Sequence, residues 1–404
     1  MQQFANELIV SLFGADPASW PYTQLFYLGV MAAFATVVFF GFIAPFSGIC
    51  VYVERKIAAR MQSRIGPNRA GPHGFFIWIA DAVKLILKED LIPDEADKVL
   101  FRMGPYLVLL GLALSFVVLP FGAHLVIADM NVGLFFVAAV ASIEVVGVLI
   151  SGWGSNSKWS LLGGFRSAAQ IISYEIPFAL AFMVVILSAG TLSAQGVVAA
   201  QGGLPHEWFI FRSPMHFAAF FIFAIAALAE GNRTPFDLPE AEQELVSGFN
   251  TEYSGLRFAA FFLAEFANVW VMNALGTLLF LGGWQIPGVA SGEIAGPVMV
   301  LLSVAIFAAK TLTGVLVVLW IRWTLPRVRI DQMMDLCWKY LVPIGMALVL
   351  LTAGWELLVA AVPVIQTGTG VLMAIGGFAL AGLFLKQSFA NIAATGDKIS
   401  MENW

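Results

Sequence analysis

Apolar residues along this chain come in long unbroken runs, not in strict alternation. Nine runs reach the roughly 20 residues that a helix needs to cross a bilayer: 24–53, 104–125, 132–153, 168–190, 214–230, 257–281, 297–321, 340–362 and 369–386. One shorter stretch reads differently. In Phe75–Lys88, Asp81, Lys84 and Lys88 fall at i, i+3 and i+7 on one helical face, and Phe, Ile, Trp, Val and Leu fill the rest. At about 14 residues it is too short to span, so it predicts an amphipathic helix in the interface plane or across the bundle. A second surface helix is predicted at Ser193–Gln201. The expected fold is an all-α polytopic membrane protein, one membrane domain over 1–404. It has about nine transmembrane helices and an inner-side amphipathic helix, 75–88. The sequence holds no internal repeat, no low-complexity tract and no soluble domain.

The polar stretches between runs are unequal, and 54–103 and 231–256 are long. Lys and Arg collect on one side: nine lie in 54–103 and four in 322–339, while the opposite side has Arg212 alone. Positive residues favour the cytoplasmic face. The N-terminus is therefore expected outside and the C-terminus inside. MQQFANELIV lacks the basic start of a signal peptide, so the first helix is expected to direct insertion. Gly-Pro pairs in ERKIAARMQSRIGPNRAGPHG force turns. Glu230–Glu252 departs from the charge pattern. It carries six carboxylates (Glu230, Asp237, Glu240, Glu242, Glu244 and Glu252) against Arg233, yet lies on the basic side.

Composition narrows the chemistry. The chain is 60% hydrophobic and 12% charged, about half the usual charged share, with mean hydropathy +0.86. Cys50 and Cys337 lie far apart, and His73, His124, His206 and His216 have no ligand spacing. No iron–sulfur, haem or zinc motif is encoded, and no GxGxxG or Walker loop occurs. Any electron carriers therefore belong to partners, and no residue of this chain is expected to carry electrons or a metal.

Ionisable groups inside a bilayer cost about 2.5–3.5 kcal/mol each on insertion scales, which makes them functional candidates. Glu144 and Lys310 fall near the middle of spans three and seven. Glu175 and Glu265 lie about 12 Å from the inner ends of spans four and six. Glu230 closes span five. Ordered by depth, these acids form a ladder below the acidic loop. Desolvation without a partner favours the neutral form of a carboxyl group, which suits it to carry protons. Pro177, two residues after Glu175, removes a helical N–H and is expected to kink span four. Glu144 and Lys310, opposite in sign at similar depth, are expected to pair, directly or through water. Glu356, near the outer end of span eight, is expected to snorkel.

Six stretches, in order, carry a resemblance: ERKIAARMQSRIGPNRAGP, ADAVKLILKED, GWGSNSKWSLLGGFRSAAQIISYEIP, EGNRTPFDLPEAEQELVSGFNTEYSG, FFLAEF and RWTLPRVRIDQMMDLCWK. They resemble the signature loops of the quinone-chamber membrane subunit (the H subunit) of proton-pumping NADH:quinone oxidoreductase, respiratory complex I. The resemblance covers about 54–340. It implies a subunit that forms the membrane side of a narrow quinone chamber and starts the charged path linking quinone reduction to proton translocation. Ubiquinone or menaquinone is then a substrate at the subunit interface. Iron–sulfur clusters, FMN and NADH belong to partner subunits, and this chain binds no cofactor.

The implied partners are the hydrophilic quinone-site and iron–sulfur subunits, adjacent membrane-arm subunits, lipids and quinone, with no nucleic acid. The implied location is a bacterial inner membrane. The resemblance assigns Arg55, Arg64, Asp81, Arg233, Asp237, Arg322 and Arg327 to the chamber and its loops. It assigns Glu175, Glu230, Glu240, Glu242, Glu244, Glu252 and Glu265 to the acidic path, which Glu144 and Lys310 extend. Two departures stand out. The family reads Leu-Leu-Gln-Pro where this chain has Phe75-Phe76-Ile77-Trp78, and Gly231 replaces a larger residue.

Two other readings remain at this level. One is the homologous membrane subunit of an energy-converting hydrogenase, which needs no quinone. The other is a stand-alone proton-coupled transporter, against which stands the lack of an inverted repeat.

Overall fold

The computed structural model describes residues 22–394 apart from 124, 240–241, 287–288, 290–296 and 363. Those residues form helices and connecting turns, with a single isolated bridge between Gly122 and Leu125. The protein is an all-α polytopic membrane protein. Among the described residues, six helices are long and apolar enough to cross a membrane, and two shorter apolar ones cover Pro214–Glu230 and Gly368–Leu383.

In chain order, α1 (Thr23–Val38) passes through a wider π turn, Phe39–Ile43, into α2 (Ala44–Met61). The short α3 covers Ile77–Leu87. Then come α4 (Lys98–Val118), α5 (Gly133–Gly154) and α6 (Lys158–Ala189). Two small helices, α7 (Ala194–Ala199) and α8 (Phe209–Arg212), precede α9 (Pro214–Glu230). The chain continues through α10 (Glu242–Leu245), α11 (Gly255–Phe280), α12 (Pro297–Thr324), α13 (Ile330–Asp335), α14 (Val342–Ala361) and α15 (Val364–Ala394).

Several helices outrun their apolar stretches. At α2 the helix continues to Met61, with Arg60 in its last turn, where a cation complements the helix dipole. At α4 it begins at Lys98 because Asp97 caps it, accepting from the N–H groups of Val99 (3.0 Å) and Leu100 (3.3 Å). Ser213 caps α9 in the same way, followed by Pro214 at the first helical position.

α11 is the centre of the bundle. Trp270, Ala274, Leu279 and Phe280 on it are all buried, and it packs against α2, α3, α4, α9 and α12. Close approaches need glycine in two places. A Cβ on Gly163 of α6 would lie 2.6 Å from the Phe249 nitrogen, and one on Gly48 of α2 would lie 2.8 Å from the Trp78 ring. The first lets the loop after α9 fold onto α6. The second seats α3 on α2.

Pro105 and Pro177 lie inside α4 and α6 without interrupting them. Each removes the donor for the carbonyl four residues earlier, and each freed carbonyl finds a side chain. Ser173, four before Pro177, accepts from the Cys337 thiol at 3.1 Å. Phe101, four before Pro105, accepts from the Tyr253 hydroxyl at 3.0 Å. α6 is continuous from Lys158 to Ala189, with Pro177 inside it.

α7 also differs from the surface helix expected over Ser193–Gln201. Val197 and Val198 are fully buried, and Gln201 ties the segment to the end of α11 by donating to the Leu278 carbonyl at 2.8 Å.

Candidate functional site

The loop after α9 is folded into the protein. Arg233 is 1% exposed, and Phe236, Leu238, Leu245, Phe249, Asn250 and Tyr253 are buried. Gln170 of α6 anchors its start. One amide nitrogen donates to the carbonyls of Ala229 (2.7 Å) and Phe236 (2.7 Å) and to Asn232 Oδ1 (3.1 Å). The end of the loop is held by Tyr253, whose ring stacks on Phe101 at 4.1 Å. Burial pushes the Tyr253 hydroxyl up to about 12.

This folding brings Arg233 into the bundle between two helices. Its guanidinium lies 3.2 Å from Glu265 Oε1 on α11 and 3.7 Å from Glu54 Oε2 on α2, above the Phe266 ring at 4.1 Å. The other oxygen of Glu54 meets Arg322 of α12 at 2.9 Å. Four charged groups from three helices and a loop thus form one cluster with alternating signs. Sequence reasoning misses Glu54. It opens the stretch ERKIAARMQSRIGPNRAGP, just past the expected end of span one, so it counts with neither the acidic loop nor the membrane groups.

Further ion pairs on the same end of the bundle join the residues expected at the site. Arg55 meets Asp81 of α3 at 2.7 Å, Arg327 meets Asp237 at 2.8 Å, and Arg166 of α6 meets Glu244 at 2.6 Å. Arg64 stands apart, exposed, and donates to Gln62 at 2.6 Å. Glu252 is half-buried and joins none of the ion pairs among the described residues. Glu242 opens α10, and Glu240 lies outside the described residues.

One turn along α2 and α11 from the cluster is a cavity of about 300 Å³. Pro45, Gly48 and Val51 of α2, Trp78 and Leu85 of α3, and Phe262 of α11 form its apolar walls, and Asp81 reaches its edge. A second apolar cavity of about 280 Å³ lies among α9, α11 and α12, with Arg233 and Lys310 on its lining.

Deeper in the bundle the acids come together. Glu144, Glu230 and Glu265 line one cavity of about 20 Å³, with Asn232 and Asn268. Glu175 accepts from Ser142 at 2.7 Å. Glu144, Glu230 and Glu265, expected at successive depths, therefore share one cavity.

Lys310 is not among them. Its ammonium donates to the carbonyls of Leu281 (2.7 Å) and Gly283 (3.0 Å) and sits 4.3 Å from the Trp208 ring centre. It caps the end of α11, where carbonyls lack helical donors and attract a cation. The direct form of the expected Glu144–Lys310 pair is corrected: among the described residues no ion pair of 4.0 Å or less joins them. Glu356 does not snorkel either. It is part-buried, pairs with Arg212 at 3.2 Å and accepts from Ser188. Among the described residues no group of three His, Cys, Asp or Glu is arranged to hold a metal ion.

Comparison with known proteins agrees with this architecture. A family profile described as NADH dehydrogenase matches residues 31–353. A protein of Anaeromyxobacter dehalogenans (strain 2CP-C), named as the H subunit of NADH-quinone oxidoreductase, is 52% identical over 404 residues, covering 97% of this chain and 98% of the relative. Proteins of the same name from Chlorobaculum tepidum and Dehalococcoides mccartyi are 46% and 43% identical. They cover 76% and 86% of this chain, and 86% and 92% of their own lengths. The chain belongs to the NADH dehydrogenase family, among the H subunits of NADH-quinone oxidoreductase.

Proposed function

We propose that this chain forms the membrane side of a quinone chamber and begins the path that couples quinone reduction to proton translocation. The observation that carries the reading is the contiguity of three features. An apolar cavity lies one turn along α2 and α11 from the charged cluster of Glu54, Arg233, Glu265 and Arg322, with Asp81 of the neighbouring Arg55 pair on its lining, and the cluster shares Glu265 with the carboxylate-lined cavity.

Each feature suits one part of the task. An isoprenoid tail needs apolar walls open to lipid, which α2, α3 and α11 supply. A quinone headgroup takes up two electrons and two protons on becoming quinol, so its oxygens gain negative character and attract donors. Arg55, Arg233 and Arg322 provide donors along one end of the bundle. Electrons come from iron–sulfur chemistry in hydrophilic partner subunits, which also hold FMN and bind NADH. In this reading no group of this chain changes redox state.

Glu265 joins the two sides. It is bound to Arg233 on the chamber side and lines the acid cavity on the other. A change in charge at the headgroup shifts how strongly Arg233 holds Glu265. That change then reaches Glu144, Glu230 and Glu175 through carboxylates close enough to feel one another. The ion-paired end faces the cytoplasm, as the Lys and Arg distribution indicates, and docks the hydrophilic subunits through 54–103, 154–167, 230–256 and 322–339. The relatives' names favour this reading over a hydrogenase-type subunit or a stand-alone transporter.

The test is a quinone carrying a photoreactive group in its tail, applied to the assembled complex. Label is expected in 44–51, 78–85 and 259–263, competed by excess quinone. Label confined to other helices would remove the chamber from this chain.

A further inference from the structure

Two small cavities meet at the same two side chains. The cavity of about 20 Å³ lined by Glu144, Glu230 and Glu265 is bounded by Asn268, and so is a cavity of about 10 Å³ toward the other end of the bundle. Glu144 and Asn268 are the polar residues common to both, and Ser115 adds a hydroxyl to the second. Each volume is close to what one water occupies. Asn268 lies one turn beyond Glu265 on α11 and is buried. Its amide nitrogen donates to the backbone carbonyl of Glu230 at 3.4 Å, which places the amide against the end of α9.

We propose that Asn268 is a positioning residue that holds the water through which a proton passes between Glu230 and Glu144. This rests on the proton-path reading above. The chemistry favours an amide here. It donates and accepts at once and keeps its charge at zero whichever acid holds the proton. A fourth carboxylate in the cavity would instead repel the other three. Glu265 is tied to Arg233, which leaves Glu230 and Glu144 as the exchanging pair. In the step, the O–H bond of the Glu230 carboxyl breaks and its proton joins the water. A proton of that water then bonds to the Glu144 carboxylate, so the water is regenerated and no redox partner is needed.

The experiment compares Asn268→Thr with Asn268→Val in the assembled complex reconstituted in vesicles. The two side chains have nearly the same shape and differ in one hydroxyl. A relay role expects Val to lower quinone-driven proton translocation at least tenfold while Thr keeps more than half of it. Electron transfer from NADH to an artificial upstream acceptor should be unchanged in both. An infrared band of a protonated carboxyl, assigned by its loss in Glu144→Gln, should shift in the Val variant and stay in place in the Thr variant. Equal rates for Thr and Val would overturn the role of Asn268, because a packing role is met or lost equally by both. Wild-type rates in Glu144→Gln and Glu230→Gln would instead overturn the proton path itself.

Discussion

Arg233→Met tests the cluster most severely. The guanidinium is 1% exposed and sits 3.2 Å from Glu265 and 3.7 Å from Glu54. With an effective dielectric of about 20, each contact carries on the order of 4–5 kcal/mol of attraction, before desolvation is subtracted. Breaking a buried pair by removing one partner costs about 3–5 kcal/mol. Glu54 keeps Arg322 at 2.9 Å, so the loss falls on Glu265, and about 3 kcal/mol is expected. Met suits the position otherwise, since its thioether can pack on the Phe266 ring.

Thermal unfolding of the assembled complex reads the stability loss. NADH-to-quinone activity, normalised to NADH oxidation by an artificial acceptor, reads function. The single variant should lower both. The double variant Arg233→Met with Glu265→Gln removes the orphaned charge and should recover most of the stability while quinone reduction stays at least tenfold low. A single variant as stable and active as wild type, or a double variant no more stable than the single, would refute the reasoning.

Three further outcomes are expected. Gly48→Leu drives a side chain into Trp78 and the α2–α3 cavity, so apparent KM should rise severalfold for a long-tailed quinone and little for a short one; equal effects on both would count against the cavity as a tail site. Tyr253→Phe leaves the Phe101 carbonyl freed by Pro105 without its 3.0 Å donor, at a cost of about 1–3 kcal/mol, read by thermal unfolding. Because burial raises this hydroxyl to about 12, against about 10 when unfolded, its contribution is complete below pH 10 and is lost between pH 10 and 12; the wild type should therefore lose more stability than Tyr253→Phe over that window. Lys310→Met removes two donors from the end of α11 and should destabilise by about 1.5–3 kcal/mol per charge-assisted bond at most, with the proton-to-electron ratio of the assembled complex unchanged.

The membrane class was legible because an apolar run of about 20 residues suits a bilayer-spanning helix and little else. Residue counts along each helix ordered Glu144, Glu175, Glu230 and Glu265 as a ladder, and three of them, Glu144, Glu230 and Glu265, line one cavity. What a linear count lacks is the position of a residue around the bundle. Glu144 and Lys310 match in depth and oppose in sign, yet Lys310 faces the carbonyl end of α11, reached by a flexible side chain that no periodicity describes.

Glu54 escapes for a related reason. Its helix runs eight residues beyond the apolar stretch, so a residue that reads as the start of a loop is buried between two arginines. The loop 231–252 reads as polar and surface-like by composition. Its burial depends on Gln170 and Gly163, on a different helix, and nothing within the loop announces that contact. The prolines behave similarly. A lost N–H is visible in sequence, but the donor that compensates comes from 152 or 164 positions away.

The central claim, that the acid row of α5, α6, α9 and α11 carries protons driven by quinone reduction, is tested most directly by Glu144→Gln in sealed vesicles, with quinone reduction and proton translocation measured together. Both are expected to fall at least tenfold while NADH oxidation by an artificial acceptor stays at the wild-type rate. Translocation at the wild-type rate and proton-to-electron ratio would contradict the claim.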